Sequence, residues 1–187
     1  MATKLKKVGY AQLEPNKIAA QYTKQIFDML PLDDAVTLCE QGMVLVYDEA
    51  EGKVKKPDTT NDVNKIFGLV YNEIVLEDER KQVDTDYVMV NVPESKYQGA
   101  IKAYPRLLAF TEGDTFTTNT ITTDDGITLP EPKKFYQPDA DGYWSENKTI
   151  TDVKDLSAAT AGPVLQVKKK YTTPDGQLAV QFVVIRA

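Results

Sequence analysis

Apolar positions along the chain fall into two textures. From Pro15 to Leu30, Ile18, Tyr22 and Ile26 recur every four residues, and Ala19, Phe27, Met29 and Leu30 widen the stripe. That spacing predicts an amphipathic helix. Asn16 or Pro15 marks its start and Pro31 its stop, because the residue before a proline resists helical dihedrals. An extended arm that orders against a partner is the alternative for the same segment. Either way the stripe needs cover.

Beyond Leu32-Asp33-Asp34 the pattern changes to short apolar runs punctuated by turn residues, the texture of an antiparallel barrel or sandwich. Met43 to Tyr47 reads as a strand, followed by an acidic turn ending at Gly52 and a second strand, Lys53 to Lys56, stopped by Pro57. Ile66 to Leu76 continues the sheet, and its internal Gly68 predicts a bulge or a close backbone crossing. Tyr87 to Val92 is nearly all β-former, and Leu107 to Phe110 leads through Gly113 into Thr115-Phe116 as strand, turn and strand of that sheet. The tail predicts a hairpin, Val164 to Tyr171 and Leu178 to Ile185 around Pro174-Asp175-Gly176. Its last strand is apolar on both faces and is expected to be central.

Residues 117–161 are polar and turn-rich, and read as a long insertion. A structureless loop of that length is unusual in a compact domain, and Phe135, Tyr136, Tyr143 and Trp144 supply apolar material for a small subdomain, a contact patch or a local cluster. The expected organisation is an N-terminal arm or helix over 1–34 and a β-barrel domain over 35–187, with the insertion at about 117–161. The fold class is mainly β, a small antiparallel barrel or sandwich.

Composition narrows the function classes. The 187 residues are 42% apolar and 27% charged, ordinary for a chain that folds alone. The net charge of −6 repels a nucleic-acid backbone, so no nucleic-acid partner is expected; Lys4, Lys6 and Lys7 read as a solubilising terminus. No run approaches the roughly 20 apolar residues of a membrane span, and no export signal follows the first lysines, so neither a membrane nor export is expected. Cys39 is the single cysteine, which excludes an intrachain disulfide.

The chain has no histidine, the residue most used for proton transfer near neutrality and the commonest transition-metal ligand. Ser-His and Cys-His triads are excluded, and a zinc site would need carboxylates and one thiol. The ten glycines are scattered, so no phosphate-cradling loop is expected. Asp139-Ala140-Asp141-Gly142 opens like a calcium loop, but Glu146 arrives too early for the twelve-residue pattern, and a turn is the better reading. No catalytic residue, metal or cofactor is assigned. A carboxylate pair for glycoside hydrolysis is the one catalytic class that composition leaves open.

The order of Gln41-Gly42-Met43-Val44-Leu45, Gly52-Lys53-Val54, Ile66-Phe67-Gly68-Leu69-Val70, Gly113-Asp114, then Ala161-Gly162-Pro163-Val164-Leu165 before a terminal hairpin resembles the bacteriophage capsid decoration, or head auxiliary, proteins of the small β-barrel kind. The likeness covers residues 35–117 and 160–187. It implies a non-enzymatic virion protein made in the host cytoplasm, seated on the outer capsid surface as a trimer or dimer, with the major capsid protein as partner. On this view Ile18, Tyr22, Ile26 and Phe27 are the anchoring stripe, unless that stripe packs on its own barrel. A carbohydrate-binding module or tail-associated adhesin is the alternative, with Tyr136, Tyr143 and Trp144 as an exposed stacking platform.

Overall fold

The computed structural model describes residues 3–4, 11–58, 60–62, 65–71, 88–89, 103–124, 128–172 and 176–187. The first half carries strands β1 (Thr3–Lys4), β2 (Leu13–Lys17), β3 (Ile26–Phe27), β4 (Cys39–Glu40), β5 (Val44–Asp48), β6 (Lys53–Lys55), β7 (Ile66–Val70) and β8 (Val88–Met89). The second half carries β9 (Leu107–Ala109), β10 (Thr115–Thr118), β11 (Ile121–Thr123), β12 (Phe135–Pro138), β13 (Trp144–Glu146), β14 (Val164–Thr172) and β15 (Leu178–Arg186). An eight-stranded sheet runs β1-β11-β13-β12-β14-β15-β10-β2, a five-stranded sheet runs β3-β9-β7-β5-β6, and β4 pairs with β8. The strand pairs are antiparallel except β11 on β13. The fold is mainly β, as the alternation predicts.

Chain connectivity forces the larger sheet to curl. β10 and β11 stand near its opposite margins, yet only Asn119 and Thr120 separate them in sequence. Three virtual bonds place the Thr118 and Ile121 Cα atoms within about 11 Å of each other. The seam is bordered on both sides by the start of the chain, with β1 on β11 and β2 on β10. The smaller sheet is wrapped similarly. Five residues after β3 forms one of its edges, Leu32 bridges to Val54 of β6 at the other, with Val54 N–H donating to the Pro31 carbonyl at 3.0 Å.

Alternation along β5 divides the interior into two cores. Val44 and Val46 face the main core between the sheets, where they meet Phe67, Leu69, Phe116, Trp144 and Phe182. Met43 and Leu45 face the other way, into a core with Leu32, Cys39, Val54, Leu107 and Tyr143. A third cluster, Phe135, Ile150 and Val164, involves Leu156 and Ala159 of a 3-10 segment (Val153–Ala158) and the residue after it. Gly68 lacks a side chain for a packing reason: a Cβ there would stand 2.6 Å from Leu107 Cβ, the close approach its place in the strand predicts.

Four sequence expectations need correction. The segment from Pro15 to Leu30 is not one helix but strand β2, a single turn α1 (Ala20–Thr23) and strand β3. Lys24 takes the left-handed conformation (φ 60°) that ends the turn, and strand partners on β10 and β9 outweigh the helical spacing. Residues 1–34 accordingly contribute strands to both sheets and form no separate unit. The stretch 117–161 is not an insertion, because β11, β12 and β13 lie inside the eight-stranded sheet. Finally, the turn at Gly113 does not join neighbours of one sheet: β9 belongs to the smaller sheet and β10 to the larger.

The hairpin of β5 and β6 and the terminal hairpin of β14 and β15 form as predicted, with β15 internal to its sheet. On β15, Val180, Phe182 and Val184 are buried, whereas Gln181, Val183 and Ile185 on the opposite face are only partly covered. The predicted strand residues 72–76, 87 and 90–92, and the turn residues 173–175, lie outside the described residues.

Candidate functional site

The seven residues singled out from the sequence separate into three places. Ile18 is buried in the main core. Ile26 and Phe27 are partly buried on the edge strand β3, Phe27 stacking on Tyr47 at 6.2 Å between ring centroids. Tyr22 is 81% exposed. The four therefore do not form one stripe, because the chain reverses between them.

What the reversal creates is an apolar edge. Asp114, buried at the Gly113 corner, accepts from the Ala19 N–H through Oδ1 at 2.8 Å and from the Thr111 N–H through Oδ2 at 2.9 Å, fixing where the segment turns outward. Ile18 and Ala20 point inward and Tyr22 points out. Past β3, Met29 is 79% exposed and holds φ 61°, a left-handed conformation that costs a non-glycine residue about 1–2 kcal/mol. The Leu32 N–H donates to the Ala103 carbonyl at 2.8 Å, extending the ladder of β3 on β9, so Tyr104, 48% exposed, lies on the stretch facing Met29. Sequence patterning drew Tyr22 and Met29 into the apolar stripe, Met29 as one of its flanks, but missed Tyr104, which belongs to no periodic run.

Tyr136, Tyr143 and Trp144 are core side chains, exposed by only 2%, 1% and 0%. The aromatic platform expected from them does not exist. Trp144 packs edge-on against Phe110 at 5.8 Å and donates its indole N–H to the Gly42 carbonyl at 3.0 Å. The Tyr143 hydroxyl donates to Glu40 Oε2 at 2.6 Å within the second core. Burial first, then the Glu40 carboxylate, holds the Tyr143 phenol far above its ordinary value. Asp139 makes the turn predicted for it: Oδ1 accepts from the Asp141 and Tyr143 N–H groups at 2.9 Å, and Oδ2 from the Thr122 and Ser145 hydroxyls at 3.0 and 2.9 Å. Its carboxylate is thus engaged within the protein.

Tyr136 has a second aspect. It lines a groove of about 490 Å3 with Glu146, its partner across the β12 and β13 ladder, and Lys134, which sits 3.0 Å from Glu146 Oε1. Leu129 and Pro130 form the apolar wall, and Lys148 approaches Asp124 at 3.6 Å on the rim. Burial, with the Glu146 and Asp124 carboxylates adding to it, pushes the Tyr136 phenol well above its ordinary value and keeps it protonated.

The charged cluster around Asp48 is internally matched. Asp48 Oδ2 accepts from Lys65 at 2.9 Å and Lys55 at 3.2 Å, and these ammonium groups hold its carboxyl well below the usual range. Burial pushes the Cys39 thiol up to about 12, so it is a protonated core residue and not a nucleophile. Among the described residues no three His, Cys, Asp or Glu side chains group as a metal site. None of their helices is long and apolar enough to cross a membrane.

Comparison with protein-family models, with curated proteins and with solved structures finds no match, so the two surfaces are read from their own geometry.

Proposed function

We propose that this protein is a non-enzymatic structural component of a bacteriophage particle that binds the outer surface of the capsid shell and stabilises it. The major capsid protein is the partner, and a trimer or dimer is the working form. The order of glycine-flanked apolar runs between Gln41 and Leu165 supports the class. The observation that carries attachment is the apolar edge: an edge strand flanked by exposed Tyr22 and Met29, with a strained backbone holding Met29 outward. Exposed large apolar side chains beside a sheet edge favour association, through side-chain burial and through strand addition. Two left-handed non-glycine residues, Lys24 and Met29, bracket that strand, and strain of this kind clusters at working surfaces.

The test exploits the strain. Met29→Gly relaxes the left-handed backbone while removing the apolar side chain, so its thermal stability is expected to match or exceed that of the parent. Combined with Tyr22→Ala, it is expected to lower cosedimentation with capsid-protein shells at least tenfold. Undiminished pelleting by the folded double variant, or no pelleting by the parent protein, would sink the proposal.

A further inference from the structure

We infer that the groove beside Tyr136 is a binding site for a short, neutral, hydroxyl-rich ligand of the oligosaccharide class, separate from the shell-binding edge. Its dimensions fall in the range of small-molecule sites, and neighbouring strands line it: Thr122 and Thr123 of β11, Tyr136 of β12, and Ser145 and Glu146 of β13. A second groove shares Lys134, Glu146 and Lys148 and continues the channel towards Thr151.

Charge decides the ligand class. Among the described residues the walls carry paired charges: Lys134 with Glu146 at 3.0 Å, Lys148 with Asp124 at 3.6 Å, and Glu131 with Lys170, outside the lining, at 2.5 Å. Over the two grooves three described carboxylates, Asp124, Glu131 and Glu146, face three described ammonium groups, Lys133, Lys134 and Lys148, and together they leave no net field to hold a phosphate or a cation. The same pairs leave spare capacity, since an ammonium carries three N–H donors and a carboxylate about four acceptor sites. Neighbouring donors and acceptors that do not neutralise a ligand's charge are what a row of hydroxyls uses, because each hydroxyl both donates and accepts. Leu129 and Pro130 offer the apolar wall against which the C–H face of a sugar ring packs. The site differs from a platform of Tyr143 and Trp144, which are buried; of the three aromatics expected from the sequence, only Tyr136 borders it.

Saturation-transfer NMR on the full chain, with maltose, cellobiose, lactose and diacetylchitobiose at millimolar concentration, tests the site, and inorganic phosphate, read by phosphorus-31 line broadening, is the anionic control. Transfer to at least one disaccharide and no broadening of the phosphate line are expected. Lys134→Met with Glu146→Gln removes an ion pair without orphaning either charge, and is expected to weaken that disaccharide's Kd at least tenfold while the far-ultraviolet spectrum and shell pelleting stay unchanged. Absence of transfer to all four disaccharides, binding of phosphate instead, or an unchanged Kd in the double variant overturns the inference. Because shell pelleting is read on the same variant, failure here is distinct from failure of capsid attachment.

Discussion

At the scale of single residues, Gly42 is the position with least room to change. Its φ is 76°, and a Cβ would collide with the Thr118 hydroxyl and stand 2.7 Å from that of Thr120. Both hydroxyls are committed: Thr120 Oγ1 donates to the Gly42 carbonyl at 2.8 Å, and Thr118 Oγ1 donates to the Gln12 carbonyl at 2.8 Å and accepts from the Thr120 N–H at 3.1 Å. Gly42→Ala therefore combines a left-handed backbone with overpacking, and a loss of about 2–4 kcal/mol is expected in denaturant titration. Gly52 is the control. Its φ is 63° and a Cβ there would meet nothing within 4 Å, so Gly52→Ala is expected to cost only about 1 kcal/mol. Equal losses at the two sites would show that the threonine hydroxyls swing aside and that only backbone conformation matters.

At the scale of elements, the first strands matter because they border the seam of the larger sheet. β2 covers the outer edge of β10, where Thr117 Oγ1 donates to Asn16 Oδ1 at 2.8 Å and Thr118 Oγ1 to the Gln12 carbonyl at 2.8 Å. Deleting residues 1–17 strips the edges of β10 and β11 together and removes the partners of buried Thr117 and Thr118. Unpaired edges recruit other chains. Size-exclusion chromatography with light scattering is expected to show self-association of the truncated chain, with a lowered Tm; a monomer melting like the parent would mean that the seam needs no cover. Sequence alone did not disclose this role. The i, i+4 spacing of Ile18, Tyr22 and Ile26 imitates a helix, although the three end up in the core, on the surface and on an edge strand. The stretch 117–161 was equally opaque, since its strands are three or four residues long and its buried positions include Thr117, Thr118, Asn119, Thr120 and Gln137. Gln137 is satisfied by Asn147 and Thr160, which no alternation of polar and apolar residues records. Where alternation is long, as in β14 and β15, pattern and structure agree. The groove was invisible for a related reason: Asp124, Lys134 and Glu146 lie on separate stretches of the chain, and only the ladder of β12 on β13 sets Tyr136 opposite Glu146.

For the whole molecule, the question is whether two cores make one cooperative unit. The chain places a natural reporter in each. Trp144, the single tryptophan, is in the main core, and Cys39, the single cysteine, is in the second. Three features couple them. β5 and the residue before it send alternate side chains to either side, Val44 and Val46 to one core, Met43 and Leu45 to the other. Tyr143 and Trp144 are consecutive yet belong to different cores. The Gly42 carbonyl, one residue from Met43, accepts from both Trp144 and Thr120 of the larger sheet. Neither core can lose its packing without dragging the backbone that lines the other, which is the condition for a two-state transition. The expected outcome in guanidinium is therefore a single midpoint shared by Trp144 fluorescence and by reactivity of Cys39 toward a thiol reagent, with the native thiol inert because it is buried and protonated. A Cys39 midpoint lower than that of Trp144 would show that the second core opens first, leaving the curled larger sheet as the more stable unit.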